Sequence, residues 1–157
     1  LLRQAGNPGE LAGVLAHEVQ HVEQRHSLRQ MITSLGWGAL VAVTIGDISA
    51  VAAMLAHQAG TMYFSRDMEE EADRLGVQAL QRARIRPDGR LTFFQKLGEK
   101  NKDRVQAPGW ISSHPQTAAR VQRVSALIDA TPCPACLPLS SSHWQAMKAA
   151  LPPAGKQ

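Results

Sequence analysis

The sequence has no run of five or six basic residues and no basic stretch interleaved with aromatics, and its Lys and Arg exceed Asp and Glu by only 17 to 13. The electrostatic footprint of a nucleic-acid binder is therefore missing, and nucleic acid is not expected as a partner. Cysteine is scarce: the two present, Cys133 and Cys136, sit in "TPCPACLP". One CxxC is half of a four-Cys zinc site, so a local disulfide or a pair of free thiols in a Pro-rich loop is expected instead. No segment shows the apolar-polar alternation of a strand, and no internal repeat occurs, which leaves a mainly α fold. The opening "LLRQAGNPGE" has no initiator Met, charged n-region or cleavage site, so the chain reads as a piece of a longer protein. What remains is 157 residues at 44% hydrophobic and 19% charged, the length and composition of a globular domain.

Asn7, Pro8 and Glu10 have the pattern of an N-cap, a first helical residue and a capping-box acid, and predict a helix opening at Pro8. Leu11, Val14, Leu15, Val19 and Val22 recur at helical spacing, which carries this helix through His21 and past His26. Residues 35–56 have a single charge, Asp47, and are long enough to span a membrane. Gly36, Gly38 and Gly46 and that central carboxylate argue instead for a broken helical hairpin packed on the domain. Further helices are expected over 65–84, with Ala72, Leu75, Ala79 and Leu80 inward, over 91–97, and over 115–130, with Ala119, Val121, Val124 and Ile128 inward. Residues 1–130 form the domain proper, and 131–157 are a Pro-rich tail with one short helix near Trp144.

"LAHEVQH" places His17 and His21 four residues apart, one turn along the same helical face, so both imidazoles can address one ion. Glu18 is offset by about 100°, wrong for a third ligand but able to reach a water held by that ion. Peptide hydrolysis needs this division: the metal acidifies water and polarises the carbonyl, and a carboxylate takes the proton and passes it to the leaving amine. From 6 His and 7 Glu in this chain, chance alone gives about 0.01 such HExxH matches. A third donor is then required, and "SRDMEEEADRLG" offers Glu69 and Asp73, again four apart, one to ligate and the other to orient a ligand imidazole. Glu70 and Glu71 point elsewhere on that helix. His114 stands on its own: Pro115 imposes an extended conformation on it and can open the next helix, leaving the imidazole on a loop beside Arg120. His26, His57 and His143 are read as surface or capping residues.

The motifs "NPGELAGVLAHEVQHVEQRH", "SRDMEEEADRLGVQAL" and "SSHPQTAAR" resemble those of the zinc metallopeptidases that include the CAAX prenyl protease, the HtpX heat-shock protease and the OMA-type proteases. The resemblance covers roughly residues 5–125. It implies a helical zincin-type core lacking the small upstream sheet, one Zn2+ per chain on His17, His21 and Glu69, Glu18 as catalytic base, and Asp73 behind a ligand imidazole. It also implies that His114 can take the open position of the zinc and hold the enzyme latent, or contact the oxyanion, with Arg120 in support. The expected activity is a zinc metalloendopeptidase acting on proteins or peptides in the bacterial cell envelope, with membrane association through residues 35–56 or a preceding anchor. A non-catalytic, chaperone-like binding module on the same fold is the alternative, against which Glu18 speaks, because a structural zinc needs no base.

Overall fold

The computed structural model describes residues 1–45, 49, 65–101, 114 and 118–152. These fold into helices α1 (Pro8–Glu23), α2 (His26–Ile45), α3 (Arg66–Arg82), α4 (Gly89–Asn101), α5 (Ala118–Ala130) and α6 (Trp144–Ala149). The mainly α class expected from the absent strand periodicity is what is found. The sole β-type pairing among the described residues is a parallel bridge between Ile85 and Leu137. His57, Gly46, Asp47 and the opening of the helix expected from Pro115 lie outside the described residues. Among the described residues no helix is long and apolar enough to cross a membrane.

Helix α1 begins where its sequence says it should. Asn7, in extended conformation, accepts from the Glu10 amide at 2.9 Å, and the buried Glu10 carboxylate reaches back to the Gly6 amide at 2.6 Å. Its end departs from expectation. The helix does not continue past His26; it stops at Glu23, and Arg25 turns the chain with φ 52° before α2 starts. The amide of Arg25 bonds the Val22 carbonyl at 3.1 Å, the inner bond of a left-handed helix stop, with Arg at the position where Gly is usual. The same device ends α3. Arg84 (φ 57°) donates to Gln81 at 2.9 Å and Ile85 to Leu80 at 2.8 Å, both bonds of a Schellman motif.

The inner face of α1 is also not the apolar one. Val14 is buried, but Leu15, Val19 and Val22 are exposed, and the buried positions are Glu10, Gly13, His17, Gln20 and His21. On α3 the interior takes Ala72 and Leu80 as expected, while Leu75 and Ala79 are half-buried and Glu69, Asp73 and Gly76 go fully inside. On α5 the buried pair is Arg120 and Val124, with Ala119 exposed and Val121 and Ile128 half-buried. The three helices bury polar side chains because they meet around a polar centre.

The apolar core lies to one side of that centre. Ala5, Val14, Phe93, Phe94 and Trp144 pack together with Leu11 against them, so residues after 130 return to the start of the chain. Lys148 Nζ donates to the Ala5 carbonyl at 2.9 Å, and the short helix expected near Trp144 is α6. The CxxC forms a disulfide, Cys133–Cys136, and the segment carrying it is held on the end of α3 by Leu137 N–H to Arg84 O (2.9 Å) and Arg86 N–H to Leu137 O (3.1 Å).

Helix α4 lies almost in backbone contact with α1. A Cβ on Gly13 would stand 2.5 Å from the Arg90 amide nitrogen, which is backbone and cannot yield as a flexible side chain could. Gly13→Ala is therefore expected to destabilise the protein by about 1–3 kcal/mol through forced separation of the two helices. A thermal or urea melt beside the parent checks it, and an unchanged midpoint would mean that α4 can slide without cost.

Candidate metal centre

Helix α1 presents His17 and His21 on its buried face, α3 presents Glu69 toward them, and His114 enters from outside both helices. The His17 and His21 Nε2 atoms are 2.9 Å apart, and Glu69 Oε1 lies 3.2 Å from His21 Nε2. His114 Nδ1 stands 2.7 Å from Glu69 Oε1 and 3.5 Å from His17 Nε2. One donor atom from each of the four lies within 4.8 Å of every other, all from buried residues. Three imidazole nitrogens and a carboxylate oxygen converging in this way are a donor set suited to zinc in composition and number.

Glu18 has its side chain 40% exposed, with Oε2 3.6 Å from His114 Nε2. The structure thus puts it at the open edge of the cluster, displaced from the donors around the α1 axis. Asp73, one turn beyond Glu69, faces His17 from behind, Oδ1 to Nδ1 3.0 Å. Arg120 closes the other side. Its Nε and Nη2 donate to Asp73 at 2.6 and 3.0 Å, Nη1 pairs with Glu69, and Nη2 is 3.5 Å from His17 Nε2. All seven residues singled out from the sequence, His17, Glu18, His21, Glu69, Asp73, His114 and Arg120, meet in this one place.

Three more participants were not expected. Arg90, buried at the start of α4, pairs with Asp73 Oδ1 and lies 4.8 Å over the Phe94 ring. A cation at a helix N-terminus opposes the helix dipole, and that was the available signal that Arg90 has a carboxylate to answer. His26, read from the sequence as a surface or capping residue, is 0% exposed and sits against His21. Glu71, expected to point elsewhere, does not touch the donor cluster but bonds His26 at 3.1 Å and Arg29 at 2.7 Å. Glu70 is exposed and pairs with Arg123 at 2.8 Å. His143 stands at the N-cap position of α6 without a capping bond from its side chain.

The electrostatics follow from burial and pairing. Burial, reinforced by the Arg90 charge, pushes His17 from 6.5 down to about 3, so its imidazole is neutral with a lone pair to give. Burial by itself would raise Glu69, but hydrogen bonds from His114 and His21 and the Arg120 charge hold its carboxyl well below the usual range. For Asp73 burial is likewise outweighed, by His17, Arg90 and Arg120, and it too stays ionised. Arg90 is lowered by burial to about 10 and remains a cation at neutral pH. Burial also lowers His26, against the pull of Glu71. Two buried carboxylates thus face two buried guanidiniums, with the neutral His17 imidazole between them.

The model of peptidase family M48 matches residues 1–128. The chain is 35% identical over 134 residues to the beta-barrel assembly-enhancing protease of Yersinia pestis, covering 77% of this chain and 28% of that protein. It is 34% identical over 128 residues to the metalloprotease YcaL of Escherichia coli, covering 75% and 48%. The mitochondrial metalloendopeptidase OMA1 of Schizosaccharomyces pombe is 27% identical over 118 residues, covering 73% and 35%. The aligned part of the chain thus spans less than half the length of each of these relatives.

Proposed function

The chain belongs to peptidase family M48, a metalloprotease by class, and from that premise we propose that it is the catalytic part of a zinc endopeptidase, with residues 1–130 as the working domain. The observation that carries the reading is the convergence of His17, His21, Glu69 and His114 donor atoms within 4.8 Å, with Glu18 at the open edge. His17, His21 and Glu69 would hold one Zn2+, which when bound acidifies a water and polarises the scissile carbonyl. Glu18 takes the proton from the attacking water and delivers it to the amine that leaves as the C–N bond breaks. Asp73 fixes the His17 ring, and Arg120 holds Asp73 and Glu69 in register.

His114 is the closing element. It lies among the donors and also faces Glu18. That position favours a latch, with His114 as a displaceable fourth donor, over an oxyanion contact. His114→Ala is expected to raise cleavage of an unfolded protein several-fold with zinc retained. Lower cleavage with zinc retained would instead assign it to the oxyanion.

Substrates are proteins or unfolded segments, and the role is quality control of envelope or membrane proteins. Support comes from relatives whose names place them in β-barrel assembly and in mitochondria. The direct test is casein cleavage by the full-length protein, expected to stop on chelation and to return with one equivalent of zinc. Cleavage indifferent to chelation would overturn the reading.

A further inference from the structure

His17 and His21 are not held in the same way. His17 leans on a carboxylate directly, its Nδ1 3.0 Å from Asp73 Oδ1. Behind His21 stands an imidazole. His21 Nδ1 is 2.8 Å from His26 Nδ1, the rings edge to face with centroids 4.7 Å apart. The far side of His26 then meets an acid, Nε2 to Glu71 Oε2 3.1 Å, and Arg29 Nη1 donates to that same oxygen at 2.7 Å.

We propose that His26 is a positioning residue for the metal centre, transmitting the Glu71 carboxylate to His21 as Asp73 acts on His17. This rests on the zinc reading above. The hydrogen-bond roles follow from a single condition. When His21 Nε2 gives its lone pair to the metal in place of its contact with Glu69, the ring's proton is on Nδ1 and is donated to His26 Nδ1. His26 must then carry its proton on Nε2 and donates it to Glu71. Each group in the row then has one assigned role, and the negative end lies away from the donor cluster, which fixes the orientation of the His21 ring.

The backbone explains how His26 gets there. In a continuous helix a residue five positions on is turned by about 140° from His21 and could not reach it. The left-handed Arg25 reverses the chain after α1, and the residue following such a turn folds back over the last helical turn. His21 and His26 occupy the two positions that this kind of helix stop brings together, a place usually filled by an apolar pair. Two imidazoles there, one 0% exposed and tied to an acid from another helix, are a polar device where packing alone would take a Leu.

The test uses the full chain and reads metal binding, not turnover. Zinc affinity is measured by competition with a chromophoric chelator, and the ligand field by visible absorption of the Co2+ form. His26→Phe fills the space without a hydrogen bond and is expected to weaken zinc about 10- to 100-fold and to shift the cobalt bands. His26→Asn, which keeps an acceptor for His21, should recover part of that loss. Glu71→Gln, at a half-exposed position, should weaken zinc several-fold with helix content unchanged, and it decides the matter if His26→Phe does not fold. Parent affinity and parent cobalt spectrum in both His26→Phe and Glu71→Gln would overturn the proposal while leaving the zinc site standing. A parent chain that binds neither metal would instead remove the zinc reading itself.

Discussion

Glu18→Gln is expected to bind zinc as tightly as the parent and to lose peptide hydrolysis by about 100-fold or more, since one positioned base contributes that much. The substitution keeps the size and polarity of the side chain and removes only the ability to take a proton. Its location makes the test clean. Glu18 is the partly exposed member of the site, and its Oε2 has His114 Nε2 at 3.6 Å, longer than a hydrogen bond. No buried pairing is broken, so stability should stay within about 0.5 kcal/mol. Zinc content, melting temperature and casein cleavage on the same preparation separate the outcomes. Wild-type turnover with zinc bound would mean that another group, or no protein group, activates the water.

The opposite pattern is expected for Asp73→Ala. Asp73 accepts from Arg120 twice, pairs with Arg90 and faces His17, so its removal takes a carboxylate from two buried guanidiniums at once, Arg120 keeping its pairing with Glu69. Breaking a buried ion pair from one side costs about 3–5 kcal/mol, because the remaining charge stays desolvated without its partner. For a chain of this length that lowers the melting temperature by roughly 10 °C. Zinc affinity should fall by about 10- to 100-fold as well, His17 having lost the group behind it. Equilibrium unfolding measures the first and chelator competition the second. A loss below about 1 kcal/mol would show that water reaches the arginines and that the cluster is not sealed.

Helical geometry made part of the donor side legible in the sequence, and the resemblance of the motifs supplied the choice of Glu69 over Asp73 and the role of His114. Residues four apart on one helix share a face, so His17 with His21, and Glu69 with Asp73, could be paired without any tertiary information. What was not legible came from three sources. The usual rule sends the apolar stripe inward; on α1 the polar face carrying His17 and His21 is the buried one, and Leu15, Val19 and Val22, whose spacing marked the helix, are exposed. The second source is the stop at Arg25. No Gly or Asn stands there to announce a left-handed residue, so α1 was carried through His26, and His26 with Glu71 was missed. Arg90 is a third kind of omission. Its partner Asp73 sits on a different helix, and no local pattern links them beyond the unfavourable placement of a cation at the start of α4.

The sequence separations inside the centre bear on how the protein is made. His114 and Glu69 are 45 positions apart, and Arg120 and His17 are 103 apart. At about 5–20 residues per second on the ribosome, Arg120 is added on the order of 5–20 s after His17. For the first half of that interval the HExxH helix has no third donor, and its inward-facing imidazoles have no α3 to bury them. Until residue 120 has emerged, Asp73 and Glu69 also lack the guanidinium that bridges them. A nascent chain, or one cut short before residue 120, therefore holds the recognisable motif without the assembled centre.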